Sequence, residues 1–402
     1  MKVALLFNRL INVINVLTAE RARVYAALTL VLGLSIAGYL LITTPGRLKS
    51  KADFPAFYNA GRIINEYPRG SLYKGELQQR LYREIVPDAK TYLFFAYTPF
   101  FAIVFAPLAR LPYLLAFGIW FLVSLALFIV GFKLAWSAAS LASNHFATGL
   151  VLATSFLPFY SWCLLTGQTS AFGFFWLAAA VYLDGKGRSF TSGCALAMLL
   201  YKPTLLLVLL PMLALTKRWH SLVGFCVGAL ILGLASLAVI GFSGIPDYLD
   251  MLATFSRAKS MGSHLTQFDV DAFAFFLPLA GKYAMLAMLV VAAMVTPLLI
   301  KAWRRDPKSS FALTITWTLV LNFYVVIYDT TLIILAVVLT AGLLSSKLPR
   351  GFRWLLLALF LIPWVSRQSA AAYGFQPMTV ALAAFGCYQL WMTLRKQNRV
   401  VV

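Results

Sequence analysis

The chain has 402 residues, 61% hydrophobic and 12% charged, with a formal net charge of +21. Soluble domains are about 45–50% apolar and about 25% charged, so a single soluble core cannot hide this much apolar surface. Long unbroken apolar runs exclude a β-barrel, whose strands alternate in segments of about ten residues. The positive charge finds its partner in anionic headgroups and needs no nucleic acid.

An all-α polytopic membrane protein of about twelve transmembrane helices is therefore expected, forming a single domain over residues 1–402. The opening residues place Arg21 and Arg23 after a short apolar segment with no A-x-A site. They read as a cytoplasmic lead-in, not a cleaved leader. Residues 24–43 make the first span. The loop 44–92 follows, with two amphipathic stretches, "FPAFYNAGRIINEYP" and "SLYKGELQQRLYREIV". Near its start stands Asp53, one of only 13 acidic residues. An Asp before Phe54-Pro55 predicts a helix N-cap with proline in the first turn, and a capping position also holds a carboxylate in one direction.

Residues 93–241 form the membrane core. The piece 93–109 holds Pro99 and Pro107 and reads as re-entrant or interfacial. "LLTGQTSAF" (164–172) reads as a turn between spans 147–165 and 170–183. Segment 189–216 is positive at both ends and carries Lys202-Pro203 in its middle, which predicts two short helices meeting at a break. Such a break is tolerated only where it packs in protein or lines a cavity. Residues 221–241 cross again, 242–275 make a second long loop, and 276–402 hold the remaining spans at 282–302, 311–327, 330–344, 354–366 and 378–394.

Lys and Arg collect at 184–188, 216–220, 301–310, 345–353 and 395–399, which the positive-inside bias places in the cytoplasm together with both termini. Loops 44–92 and 242–275 then lie outside, as do Gln168, Lys202 and Tyr328-Asp329. Cys163, Cys194, Cys226 and Cys387 are scattered in apolar runs, read as small core residues, and offer no metal-site spacing. No metal and no cofactor is implied. His145 and His220 fall in inward-facing loops and read as solvated.

Ionisable groups within a membrane bundle are costly and default to function. For Lys202 the structural alternative is a lysine snorkelling to the headgroups; for Asp329, a cap on the following span; for Gln168, a polar turn residue. His264 is either a loop residue or a site residue.

The ordered set "ADFPAFYNAGRIINEYPRGSLY" (52–73), "YTPFFAIVFAPLARLPYLLAFGIW" (97–120), "TGQTSAF" (166–172), "ALAMLLYKPTLLLVLLPML" (195–213) and "YD" (328–329) resembles the GT87 family, polyprenol-phosphate-mannose-dependent mannosyltransferases with the GT-C fold. The resemblance implies a donor sugar on a polyprenyl monophosphate, an external glycolipid or glycan acceptor, and inverting transfer. It matches Asp53 to the general base, Lys202 to the lipid phosphate, and Tyr97, Gln168, Tyr328 and Asp329 to the cavity. Tyr58, His264 and Gln267 join the cavity set, and Arg62, Arg257 and Lys259 are further cations for the phosphate. Two departures stand out: the Pro-His found before Tyr-Asp in several relatives is "NFYVVI" here, and Tyr-Pro-Pro is reduced to Tyr97-Thr98-Pro99. The rival reading is a transporter or lipid flippase, which also uses broken helices. That reading calls for an internal repeat, and halves 1–200 and 201–402 show none.

Overall fold

A computed structural model describes residues 18–43, 52–87, 92–260, 267–344 and 348–395. Every regular element among the described residues is helical. Helix α1 (Ala19–Thr43) occupies the stretch read as the first span, and Leu28, Val31, Leu32 and Ile36 on it stand exposed. In water that would be unfavourable; toward lipid it is the expected surface. The two amphipathic stretches become α2 (Phe54–Glu66) and α3 (Gly75–Ile85). Their apolar faces bury Phe54, Phe57, Ile63 and Leu81.

The 93–109 piece is a pair of 3-10 turns, Pro99–Phe105 and Leu108–Arg110. Seven residues at about 2.0 Å rise reach only about 14 Å, half of a hydrocarbon core of about 30 Å. The turn alone is therefore too short to cross. Phe101 and Phe105 are fully buried there.

Helices α4 (Tyr113–Ala138), α5 (Phe146–Thr154), α6 (Ser170–Gly185), α7 (Ser189–Ala197), α8 (Leu209–Leu215) and α9 (Trp219–Ile240) build the middle of the chain. The second long loop is half helical: α10 (Ile245–Ser260) fills it, and α11 (Ala272–Ala280) begins inside it and leads into α12 (Ala284–Arg305). Then follow α13 (Pro307–Val320), α14 (Ile333–Gly342), α15 (Arg350–Leu361), α16 (Pro363–Tyr373) and α17 (Pro377–Arg395).

Only part of the expected twelve crossings is met by length and composition. Among the described residues, Tyr113–Ala138, Trp219–Ile240 and Ala272–Arg305 are long and apolar enough to cross a membrane. The count rises to five if each of two bent pairs is one span. These bend by 54° ahead of Pro158 and by 65° ahead of Pro363, where proline interrupts the ladder. The remaining apolar helices are shorter. A 16-residue helix such as α6 is about 24 Å long, and its Ala171, Phe174, Ala178 and Ala180 are fully buried. Hydropathy marks such a helix as membrane-like; its surroundings are protein. The cysteine expectation also needs correction. Cys163 is buried, but Cys226 and Cys387 are exposed on apolar helices.

Helices α7 and α9 cross at backbone contact. A Cβ on Gly193 would meet the Ser221 carbonyl oxygen at 1.9 Å, and one on Gly224 would meet that of Phe190 at 2.0 Å. Gly224 and Gly228 are four apart, the small-xxx-small spacing that lets membrane helices approach.

The break at Lys202-Pro203 is present. A 3-10 turn ends at Tyr201 and another begins at Pro203, with Lys202 extended between them (φ −137°, ψ 83°). A second non-helical joint, residues 321–326, lies against it. Asn322 ties the two: its Nδ2 donates to the Thr204 carbonyl at 2.8 Å, and its Oδ1 accepts from Phe323 and Tyr324 N–H. Asp271 secures the same joint, accepting from Val325 N–H at 2.8 Å while capping α11 through Ala274 N–H. At the centre, the Lys202 ammonium donates to Asp329 Oδ2. Lys202 is 4% exposed and Asp329 1%. The snorkelling alternative for Lys202 is thereby excluded.

Removing one member of a buried pair leaves an uncompensated charge, at a cost of about 3–5 kcal/mol, whereas an apolar pair of similar volume is often neutral. Lys202→Met and Asp329→Leu should each sharply lower the folded yield in detergent, and the double variant should recover most of it. Size-exclusion profiles and melting temperatures of the three variants check this. A double variant no better than the singles would show that the pair is not the joint's main fastening.

Candidate active site

Asp53 occupies the position before α2, but it does not cap the helix as its sequence context predicts. Its backbone is already helical (φ −89°, ψ −18°) and its carboxylate makes no capping bond. The α2 terminus is satisfied from outside: Asp53 N–H and Phe54 N–H both donate to the Thr166 carbonyl, at 2.8 and 3.0 Å. The carboxylate is thus released from the cap and points to the turn that follows Thr166. Gln168 Nε2 donates to Asp53 Oδ2 at 2.9 Å, and the Thr166 hydroxyl lies 3.3 Å from the same oxygen.

That turn passes so close to α2 that a side chain between Thr166 and Gln168 has no room. Gly167 has φ +76°, and a Cβ there would stand 2.7 Å from the Phe54 Cβ. Left-handed backbone and close approach both call for glycine. Trp120 Nε1 donates to the Gly167 carbonyl at 2.9 Å and anchors the turn to α4.

Tyr97 comes to the same place from the extended segment after α3. Gln78 sets that segment, accepting from Phe95 N–H at 2.7 Å and donating to the Leu72 carbonyl at 2.7 Å. The Tyr97 hydroxyl donates to Gln168 Oε1 at 3.1 Å. Its ring lies parallel to that of Tyr201, with centroids 5.9 Å apart, and its hydroxyl also accepts from the Thr169 hydroxyl at 3.4 Å. Tyr328 and Tyr324 in turn wall the Lys202 ammonium, which sits 5.0 and 4.4 Å from their ring centres. Cation–π attraction of this kind adds to the Asp329 ion pair. Asp329 Oδ2 also accepts from Val326 N–H at 2.9 Å.

Six of the residues singled out in the sequence therefore meet: Asp53, Tyr97, Gln168, Lys202, Tyr328 and Asp329. Others go elsewhere. Tyr58 donates to the Leu111 carbonyl at 2.8 Å and packs on Tyr113. Arg62 is held by Glu84 at 2.8 Å and Glu66 at 3.3 Å, so its charge is spent on carboxylates. Arg257 stands exposed on α10. Gln267 accepts a long 3.5 Å bond at its carbonyl from Gln376, next to Phe268, which packs edge-on to Trp162 at 5.5 Å. The Lys259 side chain and His264 lie outside the described residues. His145 and His220 are exposed.

Sequence reasoning overlooked Thr166, Thr169, Tyr324 and Asn322. Thr166 and Thr169 flank Gln168 in a polar run between two apolar segments, and that run was the available signal. Asn322 and Tyr324 had no signal beyond lying near Tyr328.

Electrostatically the two aspartates differ. Asp329 is enclosed and paired. Asp53 is enclosed by protein but keeps part of its surface accessible, as a group in a crevice does. Desolvation pushes its carboxyl up to about 6, against the smaller opposing effect of the Gln168 and Thr166 hydrogen bonds. Such a carboxylate is ionised at neutral pH yet more basic than an exposed one. It can take a proton from a bound hydroxyl.

No curated protein and no solved structure matches the chain. The model of glycosyltransferase family 87 matches residues 95–327, more than half of the chain. The match covers Tyr97, Gln168 and Lys202, begins after Asp53 and ends one residue before Tyr328. With that match over more than half of its length, and with apolar helices fit to cross a membrane, this chain belongs to glycosyltransferase family 87.

Proposed function

We propose that the protein moves a hexose, mannose by the family resemblance, from a polyprenyl-phosphate donor to an external glycolipid or glycan, with inversion, in a GT-C-type bundle. The observation that carries this reading is the Asp53 carboxylate, partly accessible and raised in basicity, linked through Gln168, Tyr97 and Tyr201 to the break that carries Lys202. In the reaction, an acceptor hydroxyl oxygen attacks the anomeric carbon as Asp53 takes its proton. The bond from that carbon to the phosphate oxygen breaks, and its electron pair leaves on the polyprenyl phosphate. A phosphate leaves without an acid to protonate it, so one base suffices.

Support for inversion comes from the second carboxylate. A retaining enzyme would need a nucleophile on the other face of the sugar, and Asp329 is buried and engaged through Oδ2 by Lys202 and the Val326 N–H. Lys202 is assigned the developing phosphate charge, an effect worth several kcal/mol where water is excluded. Burial beside Asp329 keeps the ammonium in one place. Arg257 and Lys259 lie on α10 and are kept as further cations for the phosphate; the external orientation rests on the distribution of Lys and Arg along the chain.

Asp53→Asn should lower transfer by about 10²–10⁴-fold, the usual contribution of a general base, with donor binding retained. Incubation of purified protein with labelled polyprenyl-phosphate hexoses and a lipid extract checks this; near-full activity in the variant would remove Asp53 from the mechanism. Because the base works ionised, kcat/KM should fall about tenfold per unit as pH drops below about 6 and level off above it. A rate profile flat through that range would contradict the assignment.

A further inference from the structure

The Gln168 side chain is not free to choose which end it offers to Asp53. Its Oε1 lies 3.2 Å from Thr169 N–H, and a backbone N–H can only donate, so the atom facing it must be the oxygen. The Tyr97 hydroxyl fills a second position on that oxygen at 3.1 Å. The nitrogen is therefore turned toward Asp53. The other neighbour of Oδ2, the Thr166 hydroxyl, has one hydrogen and a closer acceptor, the Trp162 carbonyl at 2.5 Å against 3.3 Å for Asp53. Gln168 is thus the full-strength side-chain donor on Oδ2. Among the described residues no hydrogen bond reaches Oδ1.

We propose that Gln168 is a positioning residue for the base: its locked amide keeps an N–H on Asp53 Oδ2, so that Oδ1 alone is turned to the acceptor hydroxyl. This deepens the proposed function and rests on it. It gives Gln168 a different task from lining the sugar cavity. A residue that merely touched the sugar would change affinity and leave the protonation of Asp53 alone. A donor to the carboxylate favours the ionised form, so its loss must move that protonation upward.

The groups facing Asp53 from each packed element are compatible with this. Tyr82 comes from α3, Tyr97 from the extended segment, Tyr113 from the start of α4, and Tyr328 from the turn before α14. All are phenols, uncharged in the range where a carboxylate titrates. The Lys202–Asp329 pair beyond Tyr97 is neutral as a unit, and Arg62, on α2 itself, is tied to Glu66 and Glu84. The Gln168 amide is then the lever that tunes Asp53.

The test uses full-length protein and two variants. In Gln168→Ala the acid limb of the transfer profile should rise by about one pH unit. The variant is then about fivefold slower than wild type near pH 6, approaching about tenfold at lower pH, and the gap nearly closes by about pH 8. Gln168→Glu keeps the shape but places a carboxyl beside Asp53, and its acid limb should rise further, because like charges disfavour joint ionisation. In parallel, infrared spectra of protein carrying 13C-aspartate, differenced against Asp53→Asn, follow the Asp53 carboxylate band directly and need no donor. The expected result is an upward-shifted titration in both variants. Coincident infrared titrations in wild type, Gln168→Ala and Gln168→Glu would overturn the proposal even if sugar transfer is seen. Absence of transfer by wild type, with the infrared shift present, would overturn the proposed donor and leave the positioning role standing.

Discussion

A charged lysine inside a helix bundle persists only beside a buried counter-charge, and the Lys202–Asp329 pair meets that condition where two stretches of the chain leave helical geometry. Neither joint could lie in the interior alone. The backbone freed at Lys202-Pro203 and at 321–326 must find partners, and Asn322 and Asp271 supply several of them. With the joints fastened together, the rings of Tyr324 and Tyr328 both face the ammonium, and Tyr97 packs against Tyr201 just before it. The aromatic wall so formed reaches Gln168, and through it Asp53.

The two aspartates illustrate how environment divides roles between identical side chains. Asp329 receives an ammonium and a backbone N–H on one oxygen and has almost no exposed surface. Its charge is committed to holding the fold. Asp53 receives one strong donor, keeps an approachable oxygen, and is desolvated enough to be a better base than an ordinary carboxylate. Scarcity of acidic residues in the chain did not by itself separate these two. Their partners do.

Features written in local signals were legible in the sequence. The proline after Lys202 marked the break, the TGQT run marked the turn, and the spacing of apolar residues marked α2 and α3. What was illegible depended on contacts between distant residues. Asp53 seemed a helix cap because capping is read from three or four adjacent residues, yet its carboxylate is claimed from 115 residues away. Arg62 seemed available for phosphate, but Glu84, 22 residues on, takes it. The number of crossings is met only in part by length and composition, for a related reason. Hydropathy scores a short helix surrounded by protein as it scores one surrounded by lipid, and α6 and α14 are of the first kind.

The separation of Lys202 from its partner also sets an order of events during synthesis. Asp329 emerges 127 residues after Lys202. At about 5–20 residues per second the interval is roughly 6–25 s, long beside the microseconds in which a helix forms. Throughout that time the lysine has no carboxylate to receive it. The broken segment must therefore wait with its ammonium near water or headgroups, and the candidate site is completed only after residue 329 has been made.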